Sequence, residues 1–186
     1  MKTYLLPSLK LTGILILICS VIYPLLVYLV SLATPGHGNG NKLMENGVVI
    51  GYENIGQKFT DERYFQGRPS AVDYNAAGSA GSNKGPSNAE YLAGVKARID
   101  TFLIHNPGIQ AADIPADLVT ASGSGLDPNI SVQAARVQIA RIAKLRGKSE
   151  KELNALVDRM IEHPLLGLFG PEKINVLKLN IALTKI

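Results

Sequence analysis

The sequence predicts an α+β fold: one N-terminal transmembrane helix followed by a small extracytoplasmic domain with three main helices and a few strands. Residues 11–32 form an almost wholly apolar run without a charge. Three later segments repeat apolar residues at helical spacing behind N-capping residues, and short apolar or alternating runs between turn formers read as strands. The division that follows is a cytoplasmic N-terminus at 1–10, the transmembrane helix at 11–32, a linker at 33–46 and the domain at 47–186.

The apolar run, LTGILILICSVIYPLLVYLVSL, would extend roughly 33 Å as a helix, close to the hydrocarbon thickness of a bilayer. A cleaved signal peptide is the rival reading, supported by the small-x-small triplet Ser31-Leu32-Ala33. The run is about twice as long as the 7–15 residues of a signal-peptide core, which favours a retained anchor. Pro24 removes one backbone hydrogen bond, tolerable in a membrane helix whose neighbours compensate. Gly13 and Ser20 lie seven apart with Cys19 and Pro24 at the border, a stripe that serves close helix packing or simply faces lipid. Lys2 and Lys10 precede the run, whereas Lys42 is opposed by Glu45 and Glu53 after it. The positive-inside bias therefore keeps the N-terminus in the cytoplasm and exports the rest.

The chain has 186 residues, room for one ordinary domain beside the anchor. Of its 19 Lys and Arg, Lys2 and Lys10 precede the span, so 17 basic residues face 15 acidic ones in the remainder. Such balance is no footprint for nucleic acid. The single cysteine, Cys19, excludes an intrachain disulfide framework. Within the domain, residues 48–50 (Val-Val-Ile) read as a strand or buried turn, 59–74 has no helical period, and the small-residue stretch 75–88 reads as an irregular loop. A capping box at Ser87-Asn88-Ala89-Glu90 starts a helix with Leu92, Val95, Ile99, Phe102 and Leu103 inward, stopped at Asn106-Pro107. Residues 117–120 suit a strand. Ser131 caps a second helix with Ala135, Ile139, Ile142 and Ala143 inward. Ser149-Glu150-Lys151-Glu152 boxes a third, which carries Leu153, Leu156, Val157, Met160 and Ile161 and ends at His163-Pro164. Residues 175–184 alternate through Leu177, Leu179, Ile181 and Leu183, the pattern of a strand with one buried face.

Few residues in the sequence carry recognisable chemistry. His37, His105 and His163 have no partner at i+3 or i+4, which argues against zinc, and helix-end histidines suit contacts with terminal carbonyls. The stretch 78–85 lacks the glycine and hydroxyl residue a P-loop needs. Ser122-Gly123-Ser124-Gly125 follows the expected strand and precedes the second helix, a context for amides aimed at an anion or for a structural turn. Arg68, framed by Gly67 and Pro69, suits a bidentate carboxylate contact or a bond within its own domain. Arg136, Arg141, Lys144, Arg146 and Lys148 follow one another without an acid, and Arg141, Lys144 and Lys148 share a face that is solvated or docks on an acidic surface.

Several long motifs occur in order: Tyr64-Phe65-x-Gly67-Arg68-Pro69-Ser70-Ala71, Gly81-Ser82-Asn83-x-Gly85-Pro86-Ser87-Asn88, and Ser122-Gly123-Ser124-Gly125-Leu126-Asp127-Pro128-x-Ile130-Ser131. Gln133, Arg136 and Val137, and the tail Phe169-Gly170-x-Glu172-x-x-Asn175-Val176-Leu177-x-Leu179-Asn180, complete the set. With the N-terminal span, they make the chain resemble KdpC, the C subunit of the Kdp potassium-transporting ATPase of bacteria. Residues 48–57 depart locally from the family's simpler pattern. The resemblance implies a non-catalytic accessory subunit of an ATP-driven high-affinity potassium uptake pump, needed for assembly. The family is described as a catalytic chaperone that raises the ATP affinity of the P-type ATPase subunit. It implies as partners a potassium-channel-like subunit, that P-type ATPase and a small stabilising subunit, in the bacterial inner membrane. The chain lacks Asp-Lys-Thr-Gly-Thr, the phosphorylation motif of such pumps. No cofactor is expected on the chain itself; ATP and potassium belong to the complex, and the exported domain lies across the membrane from ATP. The alternative is a stand-alone, membrane-anchored extracytoplasmic enzyme or solute-binding domain. Phe65, Gly67, Arg68, Pro69, Ser70, Ser122, Gly123, Ser124, Gly125 and Asp127 are the expected partner contacts, with Gly13, Ser20 and Pro24 for packing in the membrane.

Overall fold

A computed structural model describes residues 2–186, which fall into two units that divide between Lys42 and Leu43. The first is a helical rod in three parts: α1 (Lys2–Leu17), a π-helical turn (Ile18–Ile22) and α2 (Tyr23–Leu32). Its stretch long and apolar enough to cross a bilayer runs Tyr4–Leu32, so the helix begins well before residue 11 and takes in most of the expected N-terminal segment. The wide turn has a local cause. A proline ring clashes with the carbonyl four residues back and offers that carbonyl no N–H. Just before Pro24, the Tyr23 N–H reaches back five residues to Ile18, which widens the turn where an α-helix would crowd the ring. Ser20 lies inside this turn, with Gly13 before it on α1 and Pro24 after it on α2. Beyond Leu32 the rod closes through Thr34 on the Ser31 carbonyl and His37 Nδ1 2.8 Å from the Leu32 carbonyl.

The second unit opens with a two-stranded sheet, β1 (Lys42–Glu45) beside β2 (Val48–Tyr52). The strand at 48–50 is thus present, and its partner occupies residues assigned to the linker. Helix α3 (Ala89–His105) starts one residue later than expected: Asn88 Oδ1, not Ser87, caps Tyr91 N–H at 2.9 Å. Glu90 turns away from the cap to Lys84, 2.5 Å away. Of its apolar face only Phe102 is fully buried, and Leu92 is exposed. Residues 116–118 form a 3-10 turn rather than a strand, because the Asp117 carboxylate is drawn to Ser131, accepting from its backbone N–H (2.7 Å) and hydroxyl (3.2 Å).

After the short strand β3 (Asn129–Ile130), the expected second helix breaks into α4 (Val132–Arg136) and α5 (Ile139–Arg146). Gln138 causes the break. Its side-chain amide takes the Ala134 carbonyl (2.9 Å), and its backbone N–H moves to Ala135 (3.1 Å). The inward positions Ala135, Ile139, Ile142 and Ala143 are all buried as expected. Helix α6 (Glu150–Arg159) has the full capping box of Ser149 and Glu152 and packs against α4, α5 and the last helix.

The C-terminal tail overturns the strand expected at 175–184. Only β4 (Ile174–Asn175) is extended, antiparallel to β3, and α7 (Val176–Thr184) follows with Asn175 as its cap on Lys178 N–H. The buried set Val176, Leu177, Leu179, Asn180 and Leu183 follows the helical i, i+3, i+4, i+7 spacing as well as the alternation does. Burying Asn180 on that stripe decides the matter, since its amide exchanges two hydrogen bonds with the backbone of Phe65. The core, with Phe65, Ile142, Leu153, Ile174, Leu179 and Leu183 fully buried, sits among α4 to α7 and the β3–β4 pair. The class is α+β.

Candidate functional site

The site is built from coil clamped onto helices. Residues 62–66 have no regular structure of their own, and buried side chains supply their backbone partners. Asn180 on α7 accepts from Phe65 N–H and donates to its carbonyl, both at 2.9 Å. Gln138 does the same for Gln66, accepting at 2.8 Å and donating at 3.2 Å. Two amide side chains thus mimic neighbouring strands for consecutive residues. Arg141 adds a guanidinium that donates to the carbonyls of Glu62 and Tyr64, to Asn106 Oδ1 (3.0 Å) and to Gln138 Oε1 (2.9 Å). Burial lowers its pKa from the usual arginine value, partly offset by Glu62 and Asp61. Arg141 is therefore an internal strut and not part of a basic face. Arg136 pairs with Asp158, and Arg146 lies 4.5 Å over the Tyr64 ring, so the basic run is largely spent within the domain.

The clamp delivers residues 67–70 to a cluster of loops. Gly67 packs against Tyr74, whose hydroxyl lies 3.3 Å from where a side chain would begin and donates to the Arg68 carbonyl. Burial, with the charge of Asp127 next, raises the Tyr74 pKa above its usual 10.0. Ser70 Oγ donates to the Gly125 carbonyl (2.7 Å) and accepts from Val72 and Tyr74 N–H. Arg68 Nη1 then reaches Asp127 Oδ2 at 3.1 Å, both side chains about a quarter exposed. The two sequence motifs, 59 residues apart, meet in this ion pair. Its geometry leaves one donor over: Arg68 Nε is buried without a hydrogen-bond partner.

The 122–128 turn is stitched from within. Ser122, buried, accepts from Gly125 N–H at 2.9 Å, and Ser124 Oγ accepts from Leu126 N–H at 3.1 Å. Asp127 Oδ1 accepts from Asn129 N–H at 2.9 Å. Two amides of the turn are thereby taken by its own serines, and it leads into β3 rather than a helix. The anion-cradle reading is corrected on both counts. Gly125 has φ +69°, and a side chain there would meet Val72 at 2.7 Å and the Ala80 carbonyl at 2.9 Å. Gly56 passes so close to the Asp127 carbonyl that a Cβ would sit 2.6 Å from it. Ser79 Oγ donates to the Ser124 carbonyl at 2.9 Å, tying the 75–88 loop to the same cluster.

Two open clefts flank Arg68. One, about 450 Å³, is lined by Asn54, Ile55, Ser79, Ser122–Ser124 and Asp127. The other, about 530 Å³, carries Lys58, Arg98, His105 and Phe102. No group of three or more His, Cys, Asp or Glu able to hold a metal occurs among the described residues. His105 and His163 bind Glu62 (2.5 Å) and Glu172 (2.9 Å) rather than the carbonyls expected of them. Residues that sequence reasoning missed are Asn180, Gln138 and Tyr74. Asn180 had one signal, an amide on an otherwise apolar stripe; Gln138 had none, since its partner is distant in sequence.

Comparison with known proteins places these motifs. The family described as "KdpC: K+-transporting ATPase, c chain" matches residues 5–185. A relative from Bacteroides fragilis, named potassium-transporting ATPase KdpC subunit, is 53% identical over 189 residues, covering 100% of this chain and 98% of its own length. One of the same name from Flavobacterium johnsoniae is 54% identical and covers 96% of each chain. Another from Caldanaerobacter subterraneus is 45% identical over 95% of this chain and 92% of its own.

Proposed function

The chain belongs to the KdpC family, and from that premise we propose that it is a non-catalytic accessory subunit of an ATP-driven potassium uptake pump, needed for assembly. The family match over residues 5–185 carries the reading. The relatives are named as subunits of a potassium-transporting ATPase. The bias of Lys2 and Lys10 supports a cytoplasmic N-terminus and an extracytoplasmic domain on a single span in the inner membrane. ATP and potassium then act at the level of the complex, with a channel-like subunit, a P-type ATPase and a small stabilising subunit as partners. A rise in the pump's ATP affinity is on this reading a coupling across the membrane, reciprocal by linkage, and needs no nucleotide on the domain.

The contact surface we propose is the Arg68–Asp127 loop cluster. Gly67, Pro69 and Ser70 flank the guanidinium and Gly123 and Ser124 form the opposing rim, whereas Phe65, Ser122 and Gly125, also expected as contacts, are buried and hold the cluster from within. The unsatisfied Arg68 Nε supports the assignment, because a buried donor without a partner costs about 1–3 kcal/mol until an acceptor arrives. Gly13, Ser20 and Pro24 are the proposed packing residues in the membrane. The test is detergent pull-down of the tagged full chain, scored for large membrane partners and potassium-dependent ATP hydrolysis. Wild type should retain both. Arg68→Ala should lower the melting temperature by only a few degrees, as fits a partly exposed ion pair of about 1 kcal/mol, while association falls. A chain that recovers no membrane partner refutes the subunit reading. A large loss of stability with normal association makes Arg68 architectural.

A further inference from the structure

The longest exposed apolar feature of the second unit lies away from this cluster, in the hairpin at residues 163–171. Leu165, Leu166, Leu168 and Phe169 are 70%, 81%, 81% and 64% exposed, four large side chains within five residues that the core does not use. Residues 164–171 contain no charged side chain. Leu166 holds φ +55°, a left-handed conformation costly for a bulky residue, and so points an apolar side chain outward where a solvated turn favours Gly or Asn.

We propose that this hairpin tip inserts into the lipid interface of the same bilayer that anchors the chain, giving the domain a second point of attachment. Lipid receives a loop at lower cost where its backbone amides are satisfied internally. Here Leu165 N–H donates to the Phe169 carbonyl (3.1 Å), Gly167 N–H to Pro164 (2.9 Å), and the amides of Leu168 and Phe169 to Leu165 (3.1 Å each). The base forms a polar collar: Glu162 and Lys173 exchange backbone bonds of 2.8 and 3.1 Å, and His163 pairs with Glu172 at 2.9 Å. An uncharged apolar tip above a charged base matches the apolar-to-polar gradient of a lipid interface. Ten residues, 33–42, separate the apolar helix from the second unit. They reach at most about 35 Å, so the second unit is tethered to the bilayer that the helix crosses, at high effective concentration.

The experiment uses the full chain carrying Cys19→Ser and Leu168→Cys, labelled with an environment-sensitive fluorophore. It is read in phosphatidylcholine–phosphatidylglycerol liposomes and again in the assembled complex. Doxyl-labelled lipid should quench this label several-fold more than one at Lys151→Cys on α6, and aqueous iodide should show the reverse order. With the label moved to Phe169→Cys, adding Leu166→Glu and Leu168→Glu should reduce lipid quenching to the α6 level without changing the melting temperature. Equal iodide quenching at both sites overturns the proposal. So does a label at 168 that is shielded from both quenchers in the complex and photo-crosslinks to a protein subunit.

Discussion

Replacing Asn180 by leucine removes the clamp on Phe65 while keeping the number and branching of side-chain heavy atoms. The amide makes two bonds of 2.9 Å to the backbone of a fully buried residue, from a position itself only 3% exposed. Water has no route to replace it. Both the Phe65 N–H and its carbonyl are left unsatisfied, at about 1–3 kcal/mol each, and the larger apolar side chain recovers part of that. A net loss of about 2–4 kcal/mol is expected, a large fraction of the stability of an ordinary domain. At about 4 °C per kcal/mol this lowers the melting temperature by roughly 8–16 °C. The assay is thermal unfolding of the full chain in detergent, followed by near-ultraviolet dichroism, which reports aromatic packing, four of the seven tyrosines lying in the second unit. Since Phe65 and Gln66 lead directly into Gly67 and Arg68, association with partner subunits should fall in parallel. A shift below about 2 °C would refute the reasoning, because it would mean the coil keeps its path without the side chain.

Gly125→Ala should cost about 1–3 kcal/mol, since φ +69° and contacts of 2.7 Å to Val72 and 2.9 Å to the Ala80 carbonyl leave no room for a methyl group; urea unfolding checks it. Tyr74 titrates above 10.0 because burial favours the neutral phenol. The folded state therefore binds the proton more tightly than the unfolded one, so this contribution is fully present below pH 10 and is lost as pH rises through the folded value. Tyr74→Phe should flatten the fall in stability above pH 10, and the phenolate absorbance that the substitution removes should have a midpoint above 10. For topology, Asn154→Cys with Cys19→Ser should react with a membrane-impermeant thiol reagent in intact, outer-permeabilised cells; labelling seen only after the inner membrane is broken refutes an exported domain.

Local pattern sufficed for much of this molecule. An uncharged apolar run specifies a membrane-length helix because length and transfer free energy are read residue by residue. Ser131 and the Ser149–Glu152 box are likewise legible, since a cap satisfies amides two or three residues away. Tertiary structure decided what depends on distant partners. Residues 176–184 satisfy strand and helix periods alike, and the choice of α7 rests on burying Asn180 against a backbone 115 residues away. Arg141 reads as one more cation on a polar face until the carbonyls of Glu62 and Tyr64 surround it. Arg68 and Asp127 were each visible as candidates, but their pairing, and the use of the glycine-rich turn's amides by its own serines, follow only from the folded chain. Short-range hydrogen bonds and hydrophobic length are written in neighbouring residues, whereas a buried polar group's partner is set by the path of the whole chain.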